Sequence, residues 1–309
     1  MIWSPIMAEV SLRAHAKVNL ALALAAPEPP GAARAGWHRI CTWMHAIDLA
    51  DEVRLEPLPE GGVSTWSAAW APDAPRPGLI DWPCAEDLAW RALRAVEDHL
   101  GRRLPTRIVL TKRIPTGSGL GGGSADAAAA LVGIDRAWGL GLGPATLGQL
   151  GATLGSDVPF FIDHQYPPRP GIVSGFGETI ERTSRTLGEV ILLMPRFGCP
   201  TGRVYGAFDT LAAQEHKWRF EESRVRRLAE QRGVAPTALF NDLANPACAV
   251  QPALGQLRAK ATEVLGCPVH VSGSGSTLFV LPPEGRAGRL AETARDALPG
   301  VAVWPTRLL

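Results

Sequence analysis

The sequence lacks the features that would tie the protein to a membrane. Its longest apolar stretches, such as Val190–Met194, fall far short of the about 20 residues that a membrane-spanning helix needs. The N-terminus has no basic region followed by a long apolar run, so we expect no signal or transit peptide. We therefore predict a cytoplasmic protein with no membrane partner.

An excess of charge of one sign is also lacking. The 31 Lys and Arg residues and the 30 Asp and Glu residues give a net charge of +1, and both signs are interspersed along the chain. Binding of nucleic acid through bulk electrostatics needs a basic excess, which this composition excludes. We predict no nucleic-acid partner and expect a monomer or a homodimer.

Cysteine is scarce and scattered. The five Cys residues are odd in number and show no CxxC spacing. Such a pattern is typical of buried thiols in a reducing compartment and not of disulfides or a zinc site. We predict no metal site built from protein ligands.

Glycine, by contrast, is concentrated in one short stretch. Five glycines lie between Gly117 and Gly123, and Ser124 then opens an alanine-rich run to Leu131. Glycine backbone can adopt positive φ and approach a ligand closely, while Ser124 is a good N-cap for an alanine-rich helix. The free N–H groups and the positive dipole end of such a helix favour a phosphate. The stretch therefore predicts a nucleotide-binding loop.

Other interpretations of this stretch are weaker. Gly117, Gly119 and Gly122 also satisfy the dinucleotide pattern G-x-G-x-x-G. That pattern should follow a strand directly and precede an acidic strand end by about 20 residues, and neither condition holds here. A Walker A loop needs Gly-Lys-Ser/Thr, whereas Gly-Ser-Ala-Asp stands here. A flexible linker would not run straight into a capped helix.

Hydrophobic periodicity predicts a mixed architecture. Apolar and polar residues alternate between Val10 and Leu24, which is typical of a strand with one core-facing side. Lys17 and Asn19 must then project from the same face, where a solvated lysine is the alternative to a functional one. Strands and helices follow without strict βαβ alternation, so we predict the α+β class with two lobes, residues 1–165 and 166–309.

Three ordered segments resemble the motifs of the GHMP small-molecule kinases. They are AHAKVNLALAL, IPTGSGLGGGSADAAAAL and HVSGSGSTLFVL. Further landmarks resemble the branch of this superfamily that phosphorylates 4-diphosphocytidyl-2-C-methyl-D-erythritol. These landmarks are Gly36-Trp-His38, Asp48-Leu-Ala-Asp51, LGSDVPFF around Asp157, GFGE at Gly175–Glu178 and FNDL at Phe240–Leu243. Together the matches span residues 14–281, nearly the whole chain.

The resemblance implies a two-lobed GHMP kinase fold of the α+β class, with a glycine-rich phosphate loop that opens a helix. It also implies a kinase that uses ATP and Mg²⁺. The implied reaction phosphorylates the 2-hydroxyl of a cytidine diphospho-sugar alcohol, a small-molecule substrate in the non-mevalonate route to isoprenoid precursors.

The same resemblance implies two catalytic residues and a nucleotide-binding set. Lys17 would neutralise charge and orient Asp157, which would accept the proton of the attacking hydroxyl. Phosphoryl transfer mostly needs positioning and charge neutralisation, so we expect orientation to contribute more than basicity. A loop or N-cap carboxylate is the alternative for Asp157. The nucleotide would bind to Pro115, Gly117, Gly119, Leu120, Gly121, Gly122, Gly123, Ser124 and Ala125, and Ser124 would also contact Mg²⁺.

For the substrate, the resemblance implies a pocket that holds cytosine. Trp37 and Tyr205 would stack on the base, and His38 would supply a polar contact, although a core histidine remains the alternative. The other residues implied to bind substrate are Asn19, Thr201, Gly273 and Ser274.

The chain departs from the family pattern at three positions. Trp37 stands where tyrosine is usual, so the phenolic hydroxyl is lost while stacking remains available. Ala125 replaces a second serine, which removes one hydroxyl from the phosphate loop. Asp87 replaces an asparagine near the expected adenine pocket.

Rival functions remain open at this point. A mevalonate- or homoserine-type kinase is the nearest, but Trp37, His38 and Tyr205 favour a substrate that carries a base. A catalytically silent, ligand-sensing homologue would have no need of Lys17 and Asp157. A dinucleotide-dependent oxidoreductase is the least favoured alternative, because the context of the glycine loop does not fit the dinucleotide pattern.

Overall fold

A computed structural model describes residues 8–215, 219–231 and 233–309 of the chain. Helices account for 35% and strands for 27% of the structure, which confirms the α+β prediction. The strands are β1 (Val10–Pro27), β2 (His38–Pro57), β3 (Thr65–Trp70), β4 (Thr106–Lys112), β5 (Gly171–Gly175), β6 (Thr179–Arg182), β7 (Glu189–Met194), β8 (Phe240–Asn241), β9 (His270–Val271), β10 (Leu278–Val280) and β11 (Ala302–Arg307). The α-helices are α1 (Leu88–Leu100), α2 (Gly122–Ala137), α3 (Gly143–Leu154), α4 (Thr201–Glu215), α5 (Glu222–Glu230), α6 (Ala244–Val250), α7 (Pro252–Leu265) and α8 (Ala287–Ala297).

The chain forms two compact units that interleave in sequence. One contains the described residues up to 16 together with 49–116 and 121–168; the other contains 17–48, 117–120 and the described residues from 169 onward. The last division lies near the predicted lobe boundary at 165/166. The second unit also takes in residues 17–48 and 117–120, which precede that boundary.

The first unit combines a small sheet with three helices. β3 runs parallel to β4, and β4 pairs antiparallel with the second half of β2, from Glu52 opposite Thr111 to Pro57 opposite Thr106. Helix α2 packs against α1 and α3. Most of its residues are buried, and a Cβ on Gly133 would lie 2.1 Å from Leu55 Cδ1. Small residues therefore let the other elements approach the helix backbone closely.

The second unit contains an antiparallel sheet with strand order β11-β7-β10-β9. Helix α8 packs on β7 and β11, and α6 packs against α4 and α7. The first half of β2 pairs antiparallel with β5, while β1 runs parallel to the short β8. Apolar side chains from these elements, among them Leu22, Leu193 and Leu254, share one core cluster.

Strand β1 differs from its prediction. Residues 14–25 are all buried, so the strand has one core-facing side only at its N-terminal end. The polar side chains of His15, Lys17 and Asn19 are 3–5% exposed. The prediction of a single core-facing side is wrong beyond Ala14, because a period-two pattern cannot show that protein also covers the polar face.

A histidine is buried in the second unit without polar compensation. Neither ring nitrogen of His45 has a hydrogen-bond partner among the described residues. The ring packs edge-on against Trp43, with centroids 5.0 Å apart. Burial, with a smaller contribution from the charge of Arg185, lowers the pKa of His45 to about 3. The folded protein therefore keeps this ring neutral at mildly acidic pH.

This burial predicts an acid-dependent loss of stability. The unfolded chain binds a proton at His45 below its ordinary pKa of about 6.5, while the folded chain does not. The contribution to stability is present above pH 6.5 and is lost as the pH falls towards 3. Between pH 7 and pH 5 we expect the free energy of unfolding to fall by about 2 kcal/mol more than in His45→Leu, at about 1.4 kcal/mol per pH unit below 6.5.

Urea unfolding at several pH values measures this difference. His164 is exposed, and His164→Leu should keep the pH dependence of the parent protein. Parallel pH profiles for the parent and His45→Leu would contradict the prediction.

No helix within the described ranges combines the length and the apolar character needed to cross a bilayer.

Candidate functional site

Helix α2 begins three residues before the position that an N-cap at Ser124 predicts. Gly121, in the left-handed region with φ 71°, is its N-cap, and the helix starts at Gly122. The N–H of Ala125 donates to the carbonyl of Gly121 over 2.9 Å, which closes the first helical turn. The prediction that Ser124 is the N-cap is wrong, because the left-handed Gly121 starts the helix earlier and makes Ser124 its third residue.

The first turn of α2 has the geometry of an anion site. The N–H groups of Gly122, Gly123 and Ser124 have no acceptor within the helix, as at every helix N-terminus. Together with the helix dipole they favour a phosphate. Ala125 differs from these residues because its N–H already donates to the carbonyl of Gly121. The residue is also only 2% exposed. The methyl that replaces the second serine therefore faces the interior.

A buried ionic cluster, formed by Lys112, Asp51 and Asp126, supports this helix start. Lys112 Nζ donates to Asp51 Oδ2 and to Asp126 Oδ2, and all three side chains are buried. Burial opposes the charge on Lys112, but the carboxylates of Asp126 and Asp51 raise its pKa well above the ordinary value. The sequence analysis did not identify this cluster. The one sequence feature that points to it is Asp126, a carboxylate within a run of alanines.

Through Asp51, the cluster also fixes the backbone of Arg113 and Ile114, and Gly122 packs against Ile114. Asp51 Oδ1 accepts from the N–H of Ile114 over 2.8 Å and from that of Arg113. A Cβ on Gly122 would lie 2.8 Å from Ile114 Cγ2 and 3.8 Å from Asp51 Oδ2. Glycine is therefore required where α2 begins. Pro115, the next residue along this segment, is buried.

Asp157 follows α3 in a turn beside the start of α2. It occupies the N-cap position of a 3₁₀ helix at Val158–Phe161, yet its side chain makes no capping hydrogen bond there. Asp157 therefore stands at the cap position, as the alternative interpretation has it, but its side chain does not cap the helix. The carboxylate is half-buried. A Cβ on Gly155 would lie 4.0 Å from Ser124 Oγ, so the predicted residues Ser124 and Asp157 belong to neighbouring turns of the first unit.

Asp87, the third departure from the family pattern, caps helix α1. Its Oδ1 accepts from the N–H of Ala89 over 2.9 Å, and its Oδ2 accepts from Trp82 Nε1 over 3.0 Å. Asp and Asn are about equally good N-caps. The replacement therefore preserves the start of α1.

In the second unit, Lys17 is held by a chain of buried polar groups. Its Nζ donates to Asn19 Oδ1 over 2.7 Å, and Asn19 Nδ2 donates to Thr42 Oγ1 over 2.9 Å. Thr42 in turn donates to the carbonyl of Ala21 over 2.7 Å. Lys17 is 4% exposed, so the solvated-lysine alternative is wrong. Asn19 was predicted to bind substrate, but its amide oxygen accepts from Lys17 and its amide nitrogen donates to Thr42, so the side chain orients Lys17. The sequence analysis missed Thr42, which supports Asn19.

The third family motif, HVSGSGSTLFVL, lies beside the ammonium group of Lys17. Gly273 has φ 56°, and a Cβ there would lie 3.3 Å from Lys17 Nζ, from Asn19 Oδ1 and from the carbonyl oxygen of Gly119. Asn241 Nδ2 fixes this backbone by donating to the carbonyls of Val271 and Gly273, each over 2.8 Å. The FNDL landmark therefore contains a positioning residue, although its sequence alone did not assign it that role.

Residues 117–120 of the glycine loop pack on the same motif. A Cβ on Gly119, where φ is 79°, would lie 2.3 Å from the carbonyl oxygen of Ser272. The carbonyl of Leu120 accepts from the backbone N–H of Lys17 over 2.9 Å. Gly117 is exposed, with φ 62°. These contacts bring the predicted residues Gly119, Leu120, Lys17 and Gly273 together.

Two of the residues predicted to hold the substrate base, His38 and Tyr205, lie in the second unit's aromatic cluster, which we define as His38, Tyr205 and Phe208. The His38 ring lies 5.4 Å from Tyr205 and 5.6 Å from Phe208 between centroids. Trp37 is 57% exposed and has Phe176 and Arg34 as ring neighbours, with the Phe176 centroid 6.3 Å away and the Arg34 guanidinium 5.7 Å from the Trp37 centroid. The structure thus brings together His38 and Tyr205; the sequence analysis missed Phe208, one helical turn beyond Tyr205.

The polar atoms around this cluster are also paired. His38 Nδ1 lies 2.9 Å from the carbonyl oxygen of Ala25, and Nε2 lies 3.1 Å from Asp209 Oδ1. The first residue of α4, Thr201, bonds through its hydroxyl to Ser274 Oγ over 3.0 Å. Thr201 and Ser274, both predicted to bind substrate, therefore form one hydroxyl pair.

No group of three or more His, Cys, Asp or Glu residues suited to a metal ion occurs in residues 8–215, 219–231 and 233–309. Metal held by the protein alone therefore has no candidate ligand set there.

Known proteins match this arrangement over nearly the full chain. Residues 87–164 match the family of GHMP kinases N terminal domain. A 4-diphosphocytidyl-2-C-methyl-D-erythritol kinase from Pelotomaculum thermopropionicum is 32% identical over 283 residues, 91% of each chain. The crystal structure of a 4-(cytidine 5'-diphospho)-2C-methyl-D-erythritol kinase superposes with a TM-score of 0.70 at 29% identity, covering 97% of this chain and 99% of the other. Mevalonate kinase from L. major has a TM-score of 0.68 at 13% identity over 98% of each chain, which shows a shared fold alone.

Proposed function

This chain belongs to the 4-diphosphocytidyl-2-C-methyl-D-erythritol kinases, a family of GHMP kinases, and we infer that it phosphorylates the 2-hydroxyl of that compound with ATP. The observation that carries the inference is the 32% identity over 91% of both chains. The reaction is a step in the synthesis of isoprenoid precursors. The scattered free cysteines support a reducing compartment, so we place the enzyme in the cytoplasm.

The nucleotide phosphates bind at the start of α2. Backbone N–H groups for the phosphates come from Gly121, Gly122, Gly123 and Ser124. The three glycines leave space there that larger side chains would fill. Pro115, Gly117, Gly119 and Leu120 shape the segment that leads to it, and Ala125 contributes through packing. The exposed and half-buried residues of this turn can be reached by an anion.

Mg²⁺ fits this site as a partner of ATP. Mg²⁺ prefers oxygen donors and in kinases is held largely by substrate phosphates, so the hydroxyl of Ser124 is a suitable protein ligand. When bound, the ion neutralises charge on the phosphates.

Asp157 accepts the proton of the attacking hydroxyl. Its carboxylate is half-buried and is not consumed by a helix cap. A carboxylate is a weak base towards an alcohol, but it suffices when proton transfer is late in a loose transition state. Orientation of the hydroxyl is therefore its main contribution.

Lys17 stabilises the negative charge that develops on the transferred phosphoryl group. The Asn19 carbonyl holds its ammonium in a fixed direction, and the Gly273 backbone packs beside it, where a Cβ would lie 3.3 Å from Lys17 Nζ. A pre-oriented charge needs no reorganisation during the reaction, which is the usual origin of such stabilisation. Asn19 thus acts mainly through Lys17.

The cytidine moiety of the substrate binds at Trp37 and the aromatic cluster. Trp37 and Tyr205 supply faces on which the base stacks, and His38 supplies polar contact. Thr201 and Ser274 bind the adjoining part of the substrate, and Gly273 brings the backbone close. The predictions of a monomer or homodimer and of no nucleic-acid partner stay predictions.

The function is tested by ATP turnover with three separate acceptors: 4-diphosphocytidyl-2-C-methyl-D-erythritol, mevalonate and homoserine. We expect phosphorylation of the cytidyl compound alone, with phosphorus NMR placing the new phosphate on the 2-hydroxyl. Turnover of only mevalonate or homoserine would contradict the cytidyl assignment. Binding of the cytidyl compound without any turnover would instead support a silent, ligand-sensing homologue.

Trp37→Ala should raise the KM for the cytidyl substrate about tenfold while leaving kcat nearly unchanged. Stacking of a base on an aromatic ring contributes about 1–3 kcal/mol, and the exposed indole offers such a face. Steady-state kinetics measures both constants. Trp37→Phe, which keeps an aromatic face, serves as the control and should retain most of the affinity. An unaltered KM in Trp37→Ala would refute stacking at this residue.

A further inference from the structure

Arg34 is a cation beside Trp37 to which the motifs assign no role. The two residues belong to one turn before β2, because the N–H of Trp37 donates to the carbonyl of Arg34 over 2.9 Å. The guanidinium carbon of Arg34 lies 5.7 Å from the Trp37 ring centroid and 4.5 Å from that of Phe176. Phe176, from the GFGE landmark, meets Trp37 edge-on. Two aromatic rings therefore hold this cation beside the indole on which the substrate base is proposed to stack.

The carboxylate that faces Arg34 belongs to Glu178 and is engaged mainly with its own turn. Its Oε2 accepts from the backbone N–H of Phe176 over 2.7 Å. The same oxygen lies 4.0 Å from Arg34 Nη1, which is too long for a hydrogen bond. The side chains of Arg34 and Glu178 are 47% and 49% exposed, so water screens the pair. Glu178 therefore stabilises the GFGE turn and pairs only weakly with the guanidinium.

A guanidinium held over aromatic rings keeps its hydrogen-bond donors for other acceptors. The attraction between a cation and a ring acts through the ring face, whereas the five N–H donors of arginine lie in the plane of the guanidinium. These donors match the oxygens of a phosphate in bidentate geometry. Contact with Phe176 and Trp37 thus fixes the position of Arg34 and leaves an exposed cation suited to a phosphate.

We propose that Arg34 binds the diphosphate group of the substrate. A cytidine diphospho-sugar alcohol carries two linked phosphates, and a single ribose separates them from the base. A base stacked on Trp37 therefore brings its diphosphate within reach of a guanidinium that lies 5.7 Å from the same indole. Thr201 and Ser274 supply neutral hydroxyls for the adjoining part of the substrate, and Arg34 adds a full positive charge. The proposal rests on the proposed function, since it concerns the substrate of that reaction.

The test compares CDP with cytidine as ligands of the full-length protein by isothermal titration calorimetry. Arg34→Gln removes the charge but keeps a flat polar group that can lie over Phe176. We expect this variant to bind CDP about tenfold more weakly, near the lower end of the range for a hydrogen bond to a charged group, and to bind cytidine as the parent does. Arg34→Lys keeps the charge without the fork of donors and should lose about threefold or less in CDP affinity.

Arg39 provides the matched control for the change in net charge. Its side chain is 59% exposed, and it pairs directly with Glu28 Oε1 over 3.0 Å. Arg39→Gln removes one positive charge five residues from Arg34 and should keep the parent's affinity for CDP. An equal loss of CDP affinity in Arg39→Gln and Arg34→Gln would show a general electrostatic effect and would overturn the proposal.

The ratio of the CDP and cytidine dissociation constants separates diphosphate binding from support of the indole. Equal weakening of both ligands in Arg34→Gln would mean that Arg34 only holds Trp37, which overturns the proposal. Unchanged CDP affinity in this variant, or a parent protein that binds no CDP, has the same consequence.

Glu178→Gln keeps the proposal testable if Arg34→Gln does not fold. It removes the charge that competes for Arg34 but retains an oxygen for the N–H of Phe176. We expect CDP to bind about threefold more tightly, the size typical of an exposed charge pair, and cytidine to bind as in the parent. CDP binding that is unchanged or weaker in Glu178→Gln would overturn the proposal.

The kinase assay keeps the two conclusions distinct. A parent protein that binds CDP through Arg34 but phosphorylates no acceptor would contradict the proposed function and leave diphosphate binding by Arg34 supported. A parent protein that phosphorylates the cytidyl substrate, with the same KM in Arg34→Gln, would contradict only the role of Arg34.

Discussion

Replacing Asp157 by Asn should lower kcat by about two to four orders of magnitude, the range typical of a lost general base. The amide cannot accept the proton of the attacking hydroxyl, yet it has nearly the same shape. The carboxylate caps no helix, so the substitution should leave the neighbouring 3₁₀ helix intact. Binding of ATP at the start of α2 should therefore survive.

Two measurements check this prediction: steady-state turnover of the cytidyl substrate and the dissociation constant for ATP. Asp98 is an exposed carboxylate of α1, and Asp98→Asn should keep the parent's kinetics. A loss of ATP affinity with unchanged turnover would move Asp157 out of the catalytic role and into nucleotide binding.

Replacing Lys112 by Met should destabilise the protein by about 3–5 kcal/mol at pH 7, the cost typical of breaking a buried ion pair. The substitution keeps the length of the side chain but leaves Asp51 and Asp126 buried without a cation. Two carboxylates near each other in a low-dielectric interior repel each other and lack solvation. Because Asp51 also holds the backbone of Ile114, we expect the start of α2 to lose order first.

Urea unfolding measures the change, and a surface ion pair supplies the control. Lys260 pairs with Glu263 over 3.2 Å, and both side chains are more than half exposed. The same substitution there, Lys260→Met, should cost less than about 1 kcal/mol. Equal losses in the two variants would show that burial of the Lys112 cluster has no energetic consequence.

The comparison of sequence with structure shows which parts of the site were predictable. The glycine loop, the alanine-rich helix and the strand that carries Lys17 are signals within contiguous residues, and the structure contains all three. The predicted N-cap was wrong by three residues, because a left-handed Gly121 competes with Ser124 as the helix start and propensity does not decide between them. Both the sequence pattern and the structure place Asn19 close to Lys17, but only the structure shows that the Asn19 amide oxygen accepts from the Lys17 ammonium.

Residues that act through distant partners were not predictable in the same way. Lys112 and Asp51 are 61 positions apart, and Asn241 is 32 positions from Gly273, whose carbonyl it holds. Each of these residues is unremarkable in its own segment. The His38–Asp209 pair likewise joins a strand to a helix far along the chain.

The sequence by itself determined the mixed class, the glycine-rich loop that leads into α2 and the kinase family, because local backbone preferences and ordered motifs reside in neighbouring residues. Only the tertiary structure decided which polar side chains are buried and which partners they have. The physical reason is that the free energy of a buried charge depends on the groups that folding brings around it, and those groups come from remote parts of the chain.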